Sequence, residues 1–174
     1  MSHNIMIDIE TLGSKPGCVV LAVSAVEFDT TRHYLHYTGN IHIGSCLSHL
    51  LLVDPITLKW WTEQDKELQH EMFSGEVFLE DVLFDLNKFF GETGKEAIVW
   101  CKGMNFDFPI LHEAYDRVQL PIPWHYRNIR DSRTLTAASE LKFEKPAGAH
   151  DPYNDCIAQI KDLQRACDKL GIIL

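Results

Sequence analysis

Apolar and polar positions divide the chain into runs of two different periods. Residues 4–9 are nearly all apolar, which suits a central strand covered on both faces. Residues 18–28 form a β-branched run, bounded by Lys15-Pro16-Gly17 before it and Asp29-Thr30-Thr31 after it. A third strand is predicted near 34–43, with Thr38-Gly39-Asn40 interrupting or bulging it. Three strands on short connections predict an antiparallel meander.

After Asp54-Pro55 the period becomes helical, with Thr57 as the predicted N-cap of a helix through Leu58 and Trp61 toward Leu68. A helix is predicted over 79–90, with Val82, Leu83, Leu86, Phe89 and Phe90 on one stripe and Gly91 as its stop. A short buried strand follows over 97–101. The next helix spans 105–118, with Pro109 in its opening turn and Ile110, Leu111, Ala114, Tyr115 and Val118 facing inward. A last strand over 128–131 leads to a helix over 133–141. The final helix, 152–170, is predicted to bury Ile157, Ile160, Leu163, Ala166, Cys167 and Leu170. This order predicts an α/β protein, a mixed five-stranded sheet with helices on both faces, in one domain over 1–174 without repeats or linkers.

Composition narrows the setting. With 45% hydrophobic and 24% charged residues, the 174-residue chain reads as an ordinary globular protein with one core. No apolar stretch approaches the ~20 residues that cross a bilayer, and Met1-Ser2-His3-Asn4 carries no basic region of a signal or transit peptide. Five widely spaced cysteines without a Cys-x-x-Cys pair suit reduced thiols in a cytoplasmic protein, not a disulfide framework or a zinc site. A net charge of −9 argues against binding nucleic acid by blanket phosphate neutralisation. It permits a metal nuclease, because two divalent ions would cancel about four of those charges locally. Arg127, Arg130 and Arg133 form a short basic cluster, equally readable as a phosphate contact or a solvated surface. His33, His36, His42, His49, His70, His112 and His125 fall in no ligand spacing.

Four carboxylates and one histidine carry the candidate chemistry. Asp8 and Glu10 are two apart on a strand, so both point to the same face, where their repulsion is tolerable only with a cation between them. Asp107 falls in the opening turn of the 105–118 helix, where either a metal or the helix dipole would favour a carboxylate. His150 is placed in a Gly148-Ala149 loop and Asp155 in the first turns of the last helix. That arrangement holds Asp155 rigidly while leaving His150 free to approach a water.

Read together, Asp8-Ile9-Glu10-Thr11-Leu12, Asn105-Phe106-Asp107 and His150-x4-Asp155 resemble the DEDD superfamily of 3′–5′ exonucleases, in its branch with a His-x4-Asp third motif. The resemblance covers nearly the whole chain. It implies a ribonuclease H-like fold and two Mg²⁺ or Mn²⁺ ions held by Asp8, Glu10, Asp107 and Asp155, with His150 as general base. It further implies that Thr11 and Leu12 line a pocket for the terminal nucleotide, and that Asn105 and Phe106 meet its sugar or base. Two departures stand out: Asp151-Pro152 after the histidine, and Cys156 where a small alanine is common. Trp60-Trp61-Thr62-Glu63-Gln64 is similar to a Trp-Trp-x-x-Gln signature of phage and prophage exonucleases and certain bacterial exoribonucleases. Trp61 and Gln64, spaced i and i+3, would then share a face that stacks on and hydrogen-bonds an unpaired base. In Arg130-Asp131-Ser132-Arg133-Thr134-Leu135, which also matches a segment beside the site, Asp131 either orients the site or caps the following helix, the structural role being preferred.

The resulting expectation is a two-metal exonuclease that removes 5′ mononucleotides from the 3′ end of single-stranded DNA or RNA, in a cytoplasmic protein; relatives often pair, which leaves a homodimer open. A non-catalytic nucleic-acid-binding relative and a phosphoesterase for small nucleotides are the alternatives.

Overall fold

The computed structural model describes residues 3–143 and 150–174. Among them, five strands form one mixed sheet: β1 (Asn4–Thr11), β2 (Val20–Phe28), β3 (His33–Asn40), β4 (Ile98–Cys101) and β5 (Ile129–Asp131), in the order β3-β2-β1-β4-β5. β1, β2 and β3 pair antiparallel, and β4 and β5 extend the sheet in parallel from β1.

Helices cover both faces, and β1 shows how. Ile5, Ile7 and Ile9 point into a core completed by α4 (Leu79–Phe90) and α5 (Asp107–Val118). On the other side, Met6 joins Val26, Phe28 and Trp100 beneath α7 (Pro152–Leu170). The strand's period of two therefore sends Asp8 and Glu10 to the α7 side, in register with Met6. Burial on both faces explains the apolar run, as expected of a central strand.

Several elements differ from the sequence expectation. β3 runs straight through Thr38, Gly39 and Asn40, which pair with Ser24, Val23 and Ala22; its irregularity lies opposite Val26 and Phe28 instead. Gly39 is required for packing, since a Cβ there would stand 2.7 Å from Val82 on α4. The helix expected after Thr57 is two helices, α2 (Pro55–Thr62) and α3 (Lys66–Phe73). Asp54, not Thr57, caps the first, accepting from the Ile56 amide at 2.8 Å with Pro55 at the first helical position. Asp65 caps the second in the same way. A six-residue helix, α1 (Ile43–Ser48), has neither a side-chain cap nor an acidic first turn and so left no sequence signal. Between β5 and α7 lies α6 (Ser132–Ala138), shorter than predicted. Leu170, expected in the core, is exposed, and Gln159 is buried in the inner stripe of α7.

Candidate active site

The acidic residues meet where β1, the start of α5 and the start of α7 converge. Asp8 and Glu10 are half-buried on β1. Across from them, Asp107 is buried at the start of α5, beside the Cys101 thiol and the Ile9 backbone. The residue in the cap position is Phe106, which makes no side-chain cap bond, and Asp107 is the acidic residue of the first turn, where the helix dipole favours it as well. Asp131 holds the turn that delivers it. Its Oδ1 accepts from Gly103 at 3.0 Å and from Arg133 at 2.9 Å, and its Oδ2 from Met104 at 3.4 Å. Asp131 thus caps α6 and orients the site at once.

The third segment follows from capping chemistry. Asp151 accepts from the Asn154 amide at 2.6 Å and Pro152 occupies the first position of α7, so this departure from the resembling pattern is a helix start. The other departure, Cys156, is fully buried with Sγ toward the Met6 and Ser24 carbonyls, wedging α7 onto β1 and β2. One turn into α7, Asp155 Oδ2 accepts from the backbone amide of His150 at 2.9 Å. His150 has φ of 79°, unusual for a side-chain-bearing residue. Its Nδ1 lies 3.8 Å from Glu10 Oε1. Gly148 and Ala149, expected to form the loop before it, lie outside the described residues.

Electrostatics shows what the cluster lacks. Asp8 is raised well above the ordinary aspartate range by burial, then by Asp107 and Glu10, against a hydrogen bond from Gln159. Burial, then Asp155 and Asp107, push Glu10 up to about 8. Asp107 rises to about 7, chiefly through burial. Carboxylates pressed together this way are uncompensated unless they take up protons or a cation. One ligand atom each from Glu10, His150 and Asp155 lies within 4.8 Å of the others. The carboxylate oxygens suit a hard divalent ion such as Mg²⁺ or Mn²⁺, and the imidazole stands beside them.

Asp8, Glu10, Asp107, His150 and Asp155 all line one open cleft of ≈ 340 Å³, the size of a nucleotide pocket. Thr11, Trp61 and Phe106 line it too, joined by Thr57, Trp60, Lys102, Gly13 and Ser14. Thr11 Oγ1 donates to the Gly13 carbonyl at 2.6 Å. The other expected contacts lie elsewhere: Leu12 is buried in the core beneath, and Asn105 is exposed outside the cleft wall. Trp61 is almost wholly buried, its Nε1 donating to the Thr11 carbonyl at 2.9 Å. Gln64 falls in the link after α2, and its Nε2 donates back to the Trp60 carbonyl at 2.9 Å, so it shares no stacking face with Trp61. The half-exposed ring is Trp60, packed edge-on against His150 with centroids 4.7 Å apart. Lys102, Thr57 and Gln159 were missed. Gln159 had a signal, being a polar residue one helical turn beyond Asp155.

A mixed sheet in this order, with helices on both faces, defines an α/β protein of ribonuclease H-like fold. Residues 3–166 match the Rv2179c-like 3′-5′ exoribonuclease domain, and the chain belongs to that family. It is a 3′–5′ exonuclease. The exodeoxyribonuclease of Enterobacteria phage T4 is 24% identical over 196 residues, covering 90% of this chain and 86% of that protein. Among solved structures, E. coli exonuclease I in complex with a dA16 oligonucleotide superposes with a TM-score of 0.74 at 12% identity, over 98% of this chain and 42% of that one. Exonuclease I from Methylocaldum szegediense gives 0.72 at 14% identity, over 98% of this chain and 41% of that one. The chain thus spans about two fifths of the exonuclease I structures it matches, and that likeness is one of fold. No helix of the described residues is long and apolar enough to cross a membrane.

Proposed function

We propose that this chain, as one catalytic domain, hydrolyses single-stranded nucleic acid from its 3′ end to 5′ mononucleotides with two divalent metal ions. The observation that carries this reading is the convergence of Asp8, Glu10, Asp107 and Asp155 with His150 in one cleft, with three of the carboxylates raised by burial and mutual repulsion.

Asp8, Glu10, Asp107 and Asp155 would hold the two ions, Mg²⁺ or Mn²⁺, which when bound activate water and stabilise the leaving 3′ oxygen. The chain's own groups do the rest. His150 takes the proton of the attacking water, its place fixed by the amide bond to Asp155 and the edge contact with Trp60. Phe106 and Trp60, on the cleft wall, offer faces to the terminal nucleotide, and exposed Lys102 offers a charge to its phosphate. Thr11 lines the same wall beside Glu10.

The family description speaks of RNA, while the T4 relative is an exodeoxyribonuclease, so both strands belong in the test. The T4 likeness supports a phage or prophage setting, and five buried, unpaired thiols support a reducing, cytoplasmic one. The test is digestion of 5′-labelled single-stranded DNA and RNA with Mg²⁺ or Mn²⁺, beside Asp155→Ala. A ladder shortening from the 3′ end and absent in the variant is expected. No cleavage of either strand with either metal would replace this reading by that of a binding module; cleavage of mononucleotides alone would replace it by a small-nucleotide phosphoesterase.

A further inference from the structure

The inner face of α7 is apolar except at one place. Cys156, Ile160, Leu163, Ala166 and Cys167 are buried against the sheet, and Gln159 is buried among them with 7% of its surface exposed. Its Nε2 donates to Asp8 Oδ1 at 2.7 Å. Its Oε1 is buried without a hydrogen-bond partner among the described residues.

This pairing makes little sense as packing alone. A charge-assisted hydrogen bond stabilises the fold, but an unpaired buried oxygen on the same amide costs a comparable amount. An aliphatic side chain of similar volume would fill the space without that penalty. The net contribution of the amide to folding is therefore small, and its effect falls on Asp8. The hydrogen bond to Asp8 comes from a side chain, so a single substitution removes it. One donor on Oδ1 fixes the rotation of the carboxylate and leaves its other oxygen to a cation. Groups in this position orient metal ligands, and their removal typically weakens metal binding about 10- to 100-fold.

We propose that Gln159 is a positioning residue that orients Asp8 for a divalent metal; this rests on the reading of Asp8 as a metal ligand. Gln159 touches neither substrate nor water in this scheme. It acts through Asp8, and its loss is felt as weaker metal affinity in a protein that folds as before.

The test compares wild type, Gln159→Met, Gln159→Leu and Asp8→Asn, each stripped of metal and titrated with Mn²⁺ alone. Binding is followed by electron paramagnetic resonance of free Mn²⁺, well below every melting temperature, and metal-free melting is recorded separately. The expected result is an Mn²⁺ Kd raised about 10- to 100-fold in both Gln159 variants, with metal-free melting temperatures at or above that of wild type. Nuclease activity of these variants should return toward wild type as Mn²⁺ is increased. Unchanged Mn²⁺ affinity with lowered melting temperatures would overturn the inference and make Gln159 a packing residue. Should Asp8→Asn weaken Mn²⁺ binding while Gln159→Met does not, this inference alone falls. If Asp8→Asn also binds Mn²⁺ normally, the reading of Asp8 as a ligand falls first.

Discussion

The backbone amide of His150 donates to Asp155 Oδ2 at 2.9 Å, so a candidate metal ligand also fixes the backbone of the candidate base. A short side chain in the first turn of α7 holds the backbone of His150, which has positive φ. The two residues therefore fail differently when altered. His150→Ala removes the proton acceptor alone and should lower kcat about 10²- to 10⁴-fold while Mn²⁺ still binds. Asp155→Ala removes a ligand and the anchor of His150 together and should leave no measurable turnover. Single-turnover digestion of labelled single strands, with Mn²⁺ titrations of both variants, separates the two. Equal residual rates would show that Asp155 acts through His150 alone, and would overturn its role as a metal ligand.

The raised carboxylates set a pH dependence whose sign is fixed. Glu10 and Asp107, at about 8 and about 7, and Asp8, also raised well above its ordinary range, bind more protons folded than unfolded across the interval from about 4 to about 8. Their contribution to metal-free stability is full below the unfolded values and is lost as pH rises through the folded ones. In chelator, the melting temperature should fall between pH 5 and pH 9. Saturating Mg²⁺ or Mn²⁺ should raise it, by more at the higher pH, because binding a metal displaces those protons. Thermal melts in chelator and in metal across this range check both signs; a metal-free protein that gains stability with pH would contradict the assignment.

Much of this arrangement was legible in the chain because its determinants are local. Asp8 and Glu10 sit two apart on a strand that is apolar on either side, so period and burial alone place them together on one face. The pairing of Trp61 with Gln64 on one face fails because it depends on where α2 ends. Counting i to i+3 from Trp61 to Gln64 assumed a continuous helix, but Asp65 caps a new one and Gln64 turns back to the Trp60 carbonyl. The caps themselves were within reach. Asp54-Pro55 is a stronger start than Thr57, since proline presets the first helical φ and aspartate takes the freed amide. The cap by Asp131 was legible, but its Gly103 and Met104 partners were not, because only the pairing of β4 with β5 brings those amides to it.

The exchange of roles within the tryptophan pair is open to direct measurement. Trp61, nearly fully buried and bonded to Thr11, is part of the core, and Trp61→Ala should destabilise the fold by about 3–5 kcal/mol. Trp60→Ala should leave the urea midpoint near that of wild type and weaken substrate binding by the stacking energy of one base, about 1–3 kcal/mol. Urea unfolding and KM for single strands distinguish them. A KM effect confined to Trp61→Ala with an unchanged midpoint would restore the stacking face to Trp61.

Asp131 offers the last test, because it touches no substrate and yet should affect both stability and rate. Asp131→Ala removes an α6 cap, worth about 1 kcal/mol, and frees the Gly103 and Met104 amides that fix the approach to Phe106 and Asp107. A small loss of stability should accompany a fall in kcat larger than that loss explains, since a displacement of about 1 Å at a reacting centre costs on the order of 10²-fold. Asp131→Asn keeps one acceptor and, with its amide oxygen toward Gly103 and Arg133, should retain most of the stability and part of the rate. The comparison of urea midpoints with kcat at saturating metal decides it. A kcat unchanged in Asp131→Ala would mean that β4 and α5 position Asp107 without help from β5.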